Sequence, residues 1–578
     1  MSKRGQARQK GAQGREAGAA QEKAERRNVQ GTASLAPTRV KDRFNLSGSQ
    51  RKPPAGVSTL RVPTPGRWIL SLLGLFFATR LFNLTLAGPG YDEATYLYWG
   101  HVIAADWGQR FIGAAAGGKQ PLHAWLVALS ERVIADPILA GRLVSAFSGA
   151  LAMVALWLLA KHLFSVRVAK LSALLYVLCS FTLLYDRVAY IDGLLTAESL
   201  WMLYLSVRLV GKQEWPSVVG LALSFGAALL TKSVGVAFIV LMPAALVLAR
   251  REDRTAARLY HWGAALFLAL AGGYVIYWVV FGSSTASAQI GEFERNYGNY
   301  TMSLSTLLSL PWQTWGSNAG GIIQWFYRLV TIPLSLVCLA AVVAAPKLGP
   351  RAWLMAAWAV LPILGQALVA ARFYDRYILF SIPPLLVLTA HLLDRFGEWL
   401  SSRPGIASRA ALNQPLGRAL ATAVFVLLLI WPIVQDIGML VDQKTANDFT
   451  GGFLGLRATR NYLAQRAATN PVFLVVNTTP GPVEDGLAAS VRDLPGVKVL
   501  RVAPMEGKLT IFDPFTRQGY ARQYFQGKEA YYGWYKDAET KSWLAGHVTP
   551  VQAFPNMRGD DENDYIGLYS IRFDDSFR

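Results

Sequence analysis

The chain has 578 residues, 53% of them hydrophobic and 16% charged, with a formal net charge of +20. Its many uninterrupted apolar stretches exclude an ordinary soluble domain and point to a polytopic α-helical membrane protein. Nor does the charge signal nucleic acid: residues 1–67 hold fifteen Lys and Arg against four Asp and Glu, without the interleaved aromatics that stack on bases. That segment, interrupted by SQRKPPAG and VPTPGR, lacks a sustained apolar face. It reads as a disordered basic cytoplasmic tail beside anionic lipid. The two cysteines, Cys179 and Cys338, fall far apart within apolar helices and support neither a disulfide framework nor a thiolate metal site.

Taking about 20 apolar residues as the length of a membrane-crossing helix, eleven spans are predicted. They lie near 68–86, 138–160, 168–184, 194–210, 217–231, 234–249, 260–281, 319–345, 352–370, 377–393 and 419–440. The stretch 121–135, PLHAWLVALSERVIA, is short and carries Glu131 and Arg132, so it is predicted to lie in the interface rather than cross. With the tail inside, the cytoplasmic connections hold fifteen Lys and Arg and the opposite ones eight, in agreement with the positive-inside rule. The plasma (inner) membrane is the expected location, with the N-terminus cytoplasmic and the C-terminus extracytoplasmic.

This orientation puts Asp92, Glu93, Lys119, Arg187, Asp192, Lys232, Arg372 and Arg376 on the non-cytoplasmic face. Gly88-Pro89-Gly90 ends the first span, and Asp92 falls in the first turn of the helix that follows. Successive helical residues are about 100° apart, so Asp92 and Glu93 point different ways and have different jobs. Tyr96 and Trp99 follow Asp92 at i+4 and i+7, giving its face two rings suited to a sugar, although an acid in this place is also ordinary helix capping. Lys119 sits at headgroup depth, where snorkelling is the plain explanation. Arg80 lies inside the first span and needs an anionic partner, a lipid phosphate or Asp92. Arg187 and Asp192 in YDRVAYIDG can pair with each other. Lys232 occupies the short turn TKSVG, and RFYDRY supplies Arg372 and Arg376.

No HExxH, GxSxG or Walker-type loop occurs where it could act, and the six histidines are scattered. Hard oxygen ligands such as the Asp92–Glu93 pair would suit a divalent metal, but the neighbouring cations argue against one, so neither cofactor nor metal is expected.

The series YDEATY (91–96), GKQPLHAWL (118–126), ILAGRLVSAFSGALA (138–152), YDRVAYIDGLLT (185–196), LLTKSVG (229–235) and RFYDRY (372–377) resembles the type C glycosyltransferases. The branch is that of the protein O-mannosyltransferases and the lipid A aminoarabinose transferase. The resemblance covers roughly residues 68–393; the ordered series, rather than the Asp-Glu pair, is the specific signal. One departure is Gln120, where relatives often carry the first proline of a Lys-Pro-Pro run.

The resemblance implies an inverting transfer of a sugar from a polyprenyl-phosphate carrier to an extracytoplasmic protein, glycan or lipid acceptor, within a catalytic region of residues 68–440. It makes Asp92 the general base, with Glu93 orienting the helix. Lys119, with Arg80 or with Arg372 and Arg376, would bind the donor phosphate. Asp192 would position the sugar or acceptor, a role that Arg187, Tyr96, Trp99 and Lys232 would share. It needs no metal, and its partners are the lipid-linked donor, the acceptor and membrane lipids, not nucleic acid.

Residues 441–578 are predicted to form a small extracytoplasmic α/β domain, with strands at 472–477, 497–502 and 566–573 and a helix over GLRATRNYLAQRAA. This domain is expected to be separable from the donor site, because the resembling motifs end before it. The aromatic-rich stretch 520–543 is expected to pack as hairpin and core, with a sugar-docking surface as the alternative. A transporter or scrambling protein for lipid-linked saccharides is the rival class. Against a transporter stand the lack of an internal repeat and the clustering of charge at one interface.

Overall fold

A computed structural model describes residues 65–578, apart from 250–253, 283–287, 289–299, 403–412, 453, 478–481, 492–493, 514–517, 536–543, 545 and 556–564. The predicted tail, through residue 64, lies outside the described residues.

The chain enters through α1 (Pro65–Leu81) and turns at Gly88-Pro89-Gly90 into α2 (Tyr91–Ala105), followed by α3 (Leu122–Glu131). Then come α4 (Pro137–Leu163), α5 (Val166–Val177), α6 (Ile191–Gly211), α7 (Trp215–Thr231) and α8 (Ala256–Phe281). After these follow α9 (Trp312–Trp325), α10 (Ile332–Leu348), α11 (Pro350–Val369), α12 (Ile382–Ser402) and α13 (Asn413–Val441). Local chemistry sets several starts. Asp136 caps α4 by accepting from the backbone N–H groups of Ile138 and Leu139, and Pro137 takes the first helical position, where a missing N–H costs nothing.

Six helices among the described residues are long and apolar enough to cross a membrane: α4, α6, α8, α11, Asp375–Leu400 and Thr422–Val441. The pair Trp312–Val330 and Ile332–Leu348 makes a seventh if counted as one bent span. Eleven crossings were predicted; the other four predicted stretches form helices that are shorter or interrupted. The 319–345 stretch bends by 118° at Thr331, which adopts φ +75° just before Pro333, a residue with no N–H to continue the helix. The 168–184 stretch breaks at Cys179, whose backbone is extended, leaving the 12 residues of α5 and a short helix Ser180–Tyr185. α1 and α7 hold 17 residues each. The predicted interfacial helix is the 10-residue α3.

α4 and α6 form the centre of the bundle, with most of their side chains buried. By contrast, α8 and α13 present Phe267, Trp278 and Leu427 outward, as helices bathed in hydrocarbon do.

Beyond α13 the chain adds α14 (Gln443–Thr450), α15 (Leu454–Ala467), α16 (Pro482–Val491) and one seven-stranded sheet. Its strands are β1 (Val472–Asn477), β2 (Val497–Met505), β3 (Lys508–Phe512), β4 (Gly519–Tyr520), β5 (Glu529–Tyr535), β6 (Val548–Pro555) and β7 (Tyr565–Ile571), in the order β4-β3-β2-β1-β5-β7-β6. β1 is central and parallel to both neighbours; the outer pairings are antiparallel. Its alternation explains the two-sided core: Val472, Leu474 and Val476 share one cluster with Leu456 and Leu487 of α15 and α16, while Phe473 and Val475 enter another on the far face. Within 520–543, Phe525, Tyr531 and Tyr532 are buried in these clusters; Trp543 lies outside the described residues.

The sheet domain rests directly on α2. Gly486 of α16 packs so near that an added Cβ would lie 3.3 Å from the Ala94 Cβ, and the Arg501 guanidinium lies 5.1 Å from the Tyr98 ring centroid.

Candidate active site

The turn that launches α2 is held by a buried cluster. Glu93, fully buried, takes two hydrogen bonds from Arg142 of α4, at 2.7 and 2.9 Å. It also accepts from the backbone N–H groups of Ala189, at 2.8 Å, and Gly90, at 3.3 Å. Arg142 spends its other donors on the carbonyls of Leu84, Ala87 and Gly88. Glu93 thus ties the Gly-Pro-Gly turn to α4 and to the loop before α6, facing away from any cavity.

One helical step round, Asp92 faces a cavity of about 730 Å³ lined also by Tyr96, Lys119, Lys232, Arg372 and Arg376. An Asp92 oxygen is 2.5 Å from Arg376. Arg376 also lies 3.9 Å from Asp192, whose other oxygen accepts from Lys232 at 2.7 Å. Tyr190, Tyr374 and Tyr377 surround the Arg376 guanidinium, with centroids 5.6, 4.4 and 5.4 Å away, restricting the paths it can take. Lys119 stands 5.3 Å from the Tyr96 centroid and Arg372 lies 5.7 Å from that of Tyr300. Among the described residues, four cations against Asp92 and Asp192 leave the site with surplus positive charge, which suits an anionic ligand. Burial pushes the Lys119 ammonium below the usual lysine range; Asp92 opposes the shift, while Arg376 and Lys232 reinforce it.

The structure therefore brings together Asp92, Tyr96, Lys119, Asp192, Lys232, Arg372 and Arg376, and sets four predicted residues apart. Glu93 is the clamp just described. Arg80 is buried against Asp186 at 3.1 Å and donates to the carbonyls of Tyr176 and Val177, so its anionic partner is neither Asp92 nor a lipid phosphate. Arg187 does not pair with Asp192; it donates to the carbonyls of Thr79, Arg80, Phe82 and Asn83, closing the end of α1. Trp99 packs against the buried cluster of Ile103, Ala114, Ala124 and Ala128, because seven residues advance a helix by about 10 Å and carry the ring past the cavity.

Sequence reasoning passed over Arg142 and Asp186. Both had a signal: each is a charge within or beside an apolar span, where an ionisable group calls for a partner. The C-terminal segment was also missed, since Thr450 and Gly451 line the cavity and Asn447 accepts from the Gly88 N–H at 3.1 Å. The region after α13 is consequently part of the cavity wall, contrary to the expected separation. Among the described residues no group of three or more His, Cys, Asp or Glu could hold a metal ion.

The fold and the matched segment point to one class. Residues 118–278 match the family model described as dolichyl-phosphate-mannose-protein mannosyltransferase, a span that includes Lys119, Asp192 and Lys232 but not Asp92 or Arg376. Together with the fold, this supports the resemblance to type C glycosyltransferases read from the ordered motifs.

Among solved structures, the chain is similar to ArnT from Cupriavidus metallidurans bound to undecaprenyl phosphate, with a TM-score of 0.52 and 16% identity over 87% of this chain and 97% of that one. It is also similar to the oligosaccharyltransferase of Archaeoglobus fulgidus in its apo form, with a TM-score of 0.50 and 10% identity over 76% of this chain and 65% of the other. No curated protein matches the chain in sequence.

Proposed function

We propose that the chain is an integral-membrane, inverting glycosyltransferase that moves a hexose or pentose, mannose included, from a polyprenyl-phosphate carrier to a protein, glycan or lipid acceptor outside the cytoplasm. The observation that carries this reading is a single cavity in which the Asp92 carboxylate faces Lys119, Lys232, Arg372 and Arg376. The undecaprenyl phosphate bound by ArnT supports a lipid-linked donor. In this reading the chain crosses the plasma membrane eleven times; the fifteen-to-eight basic asymmetry supports an orientation with the cavity and residues 441–578 on the outer face, where residues 68–440 supply the catalytic charges and the segment at 450–451 completes the wall.

In this mechanism the acceptor hydroxyl oxygen attacks the anomeric carbon while its proton passes to Asp92. The bond from that carbon to the phosphate oxygen breaks, and the cations take up the charge left on the polyprenyl phosphate. Arg376 links the two halves. Before donor arrives it holds Asp92; a phosphate entering the cavity competes for the same guanidinium and frees the base. Lys232 lines the cavity and is held by the buried Asp192, so that the pair orients the sugar through the lysine.

Membranes containing the protein, supplied with radiolabelled polyprenyl-phosphate sugars and an envelope extract as acceptor, should release free polyprenyl phosphate in step with labelling of the acceptor. Movement of intact labelled lipid between leaflets without that release would instead identify the rival scrambling or transport activity.

Lys119 gives a second measurable consequence. Its ammonium is the form that binds phosphate, and its depressed pKa means that this form is lost, as pH rises, earlier than for an ordinary lysine. Donor binding should weaken on the alkaline side, and Lys119→Arg should move that limb to higher pH, since a guanidinium stays charged. An unmoved limb would assign the titration to another group.

A further inference from the structure

A second cavity, of about 690 Å³, lies beside α9, within the range of about 300–1,000 Å³ typical of ligand pockets. Among the described residues its lining contains no ionisable side chain, in contrast to the site just described. Gln313, Ser317, Gly320, Gly321 and Gln324 recur at helical spacing and form one face of α9 along it. Trp312 and Ile323, on another face of the helix, are 69% and 72% exposed. The helix is therefore two-sided, with its amides and hydroxyls gathered along the cavity. The side chains of Gln313, Ser317 and Gln324 have no hydrogen-bond partner among the described residues.

The two cavities share a wall. Ala370 pairs with Thr301 in an antiparallel bridge, and the Ala371 N–H donates to the Tyr300 carbonyl. From there the side chains alternate: Arg372, Tyr374 and Arg376 line the charged cavity, whereas Ala371 and Phe373 line the uncharged one. Asn318 fastens α9 to this wall through the carbonyls of Ala367 and Ala370, at 2.8 and 3.0 Å. Trp325 meets Phe373 edge-on, with centroids 5.0 Å apart.

We propose that the cavity along α9 is a binding subsite for an uncharged saccharide, the group that presents its hydroxyl to Asp92. The acceptor role rests on the glycosyl-transfer reading above. Amides and hydroxyls donate and accept alike, as sugar hydroxyls do, and the Trp325–Phe373 corner offers apolar faces for the C–H side of a pyranose or furanose ring. Among the described residues the lining offers no cation to pair with phosphate, sulfate or carboxylate, which favours a neutral ligand at this position. Adjacency through one extended segment gives the acceptor a seat from which it approaches the donor without competing for the phosphate cations.

Gly320 supplies the test, because a Cβ added there meets nothing within 4 Å. Gly320→Trp leaves the backbone of α9 undisturbed while projecting an indole into the cavity, and Gly320→Ala is the matched control. The full chain in nanodiscs is titrated with mannotetraose and with maltotetraose, both neutral, and in parallel with a Ser/Thr-rich hexapeptide. The expected result is saturable tetrasaccharide binding that weakens at least about tenfold in Gly320→Trp, persists in Gly320→Ala, and is not competed by undecaprenyl phosphate.

Binding of neither sugar, binding of the peptide alone, or wild-type sugar affinity in Gly320→Trp would each overturn the subsite and leave α9 with a merely solvated face. Undecaprenyl phosphate binding, measured on the same samples, keeps the two readings apart. Its absence with tetrasaccharide binding intact counts against the transfer mechanism but not against the saccharide subsite.

Discussion

Replacing Asp92 with Asn should slow sugar transfer by about 10²–10⁴-fold while the protein inserts and folds normally. The amide keeps the shape of the side chain but cannot take the acceptor's proton. Donor affinity should be unchanged or slightly tighter, because the substitution removes the carboxylate that competes with phosphate for Arg376. A helix-capping role predicts the opposite pattern, with turnover near normal. Single-turnover transfer and polyprenyl-phosphate binding measured on the same preparation separate these cases, and wild-type turnover in Asp92→Asn would eliminate the mechanism.

The neighbouring residue should behave in the contrary way. Glu93→Gln strands the Arg142 guanidinium, buried to 1% exposure, without its counter-charge, and a broken buried ion pair of this kind costs about 3–5 kcal/mol. The expected phenotype is loss of folded protein at ordinary temperature rather than a slow enzyme, read as a lowered unfolding midpoint in detergent. The double variant Glu93→Gln with Arg142→Met should recover part of that loss, since removing both charges leaves nothing unpaired. A Glu93→Gln protein of wild-type stability that turns over slowly would instead make Glu93 part of the chemistry. Two adjacent acids thus yield opposite failures because about 100° of helical rotation sends one into the cavity and the other into the packing.

Much of this site was legible from residue type and order. The Gly-Pro-Gly turn, the helix after it and the gathering of Asp92, Lys119, Asp192, Lys232, Arg372 and Arg376 follow from placing motifs on one side of a membrane. What sequence did not disclose was partner choice. Arg80 has several acids within reach of any reasonable topology, and only the fold selects Asp186. Arg187 satisfies helix-end carbonyls, a use of charge that leaves no trace in a hydropathy profile. The same limit applies to the spans: window averages register apolarity, whereas the breaks at Cys179 and Thr331 arise from individual backbone angles. In the sheet domain, strands β1, β2 and β7 were readable from alternation and apolar runs, but the docking of α16 on α2 was not.

The contact of α14 and its following turn with Gly88 has a consequence for how the protein comes to be active. The Asn447 side chain holds the Gly88 N–H, and Gly452 approaches the Gly88 carbonyl so closely that a Cβ would come within 2.3 Å of it. The turn that aims Asp92 is therefore completed by residues synthesised some 360 positions later. A nascent chain still emerging from the ribosome carries every charged group of the cavity yet lacks the brace that aligns them. Competence arrives only with the last quarter of the polypeptide, so a truncated or stalled product should sit in the membrane as an inert intermediate instead of a premature catalyst.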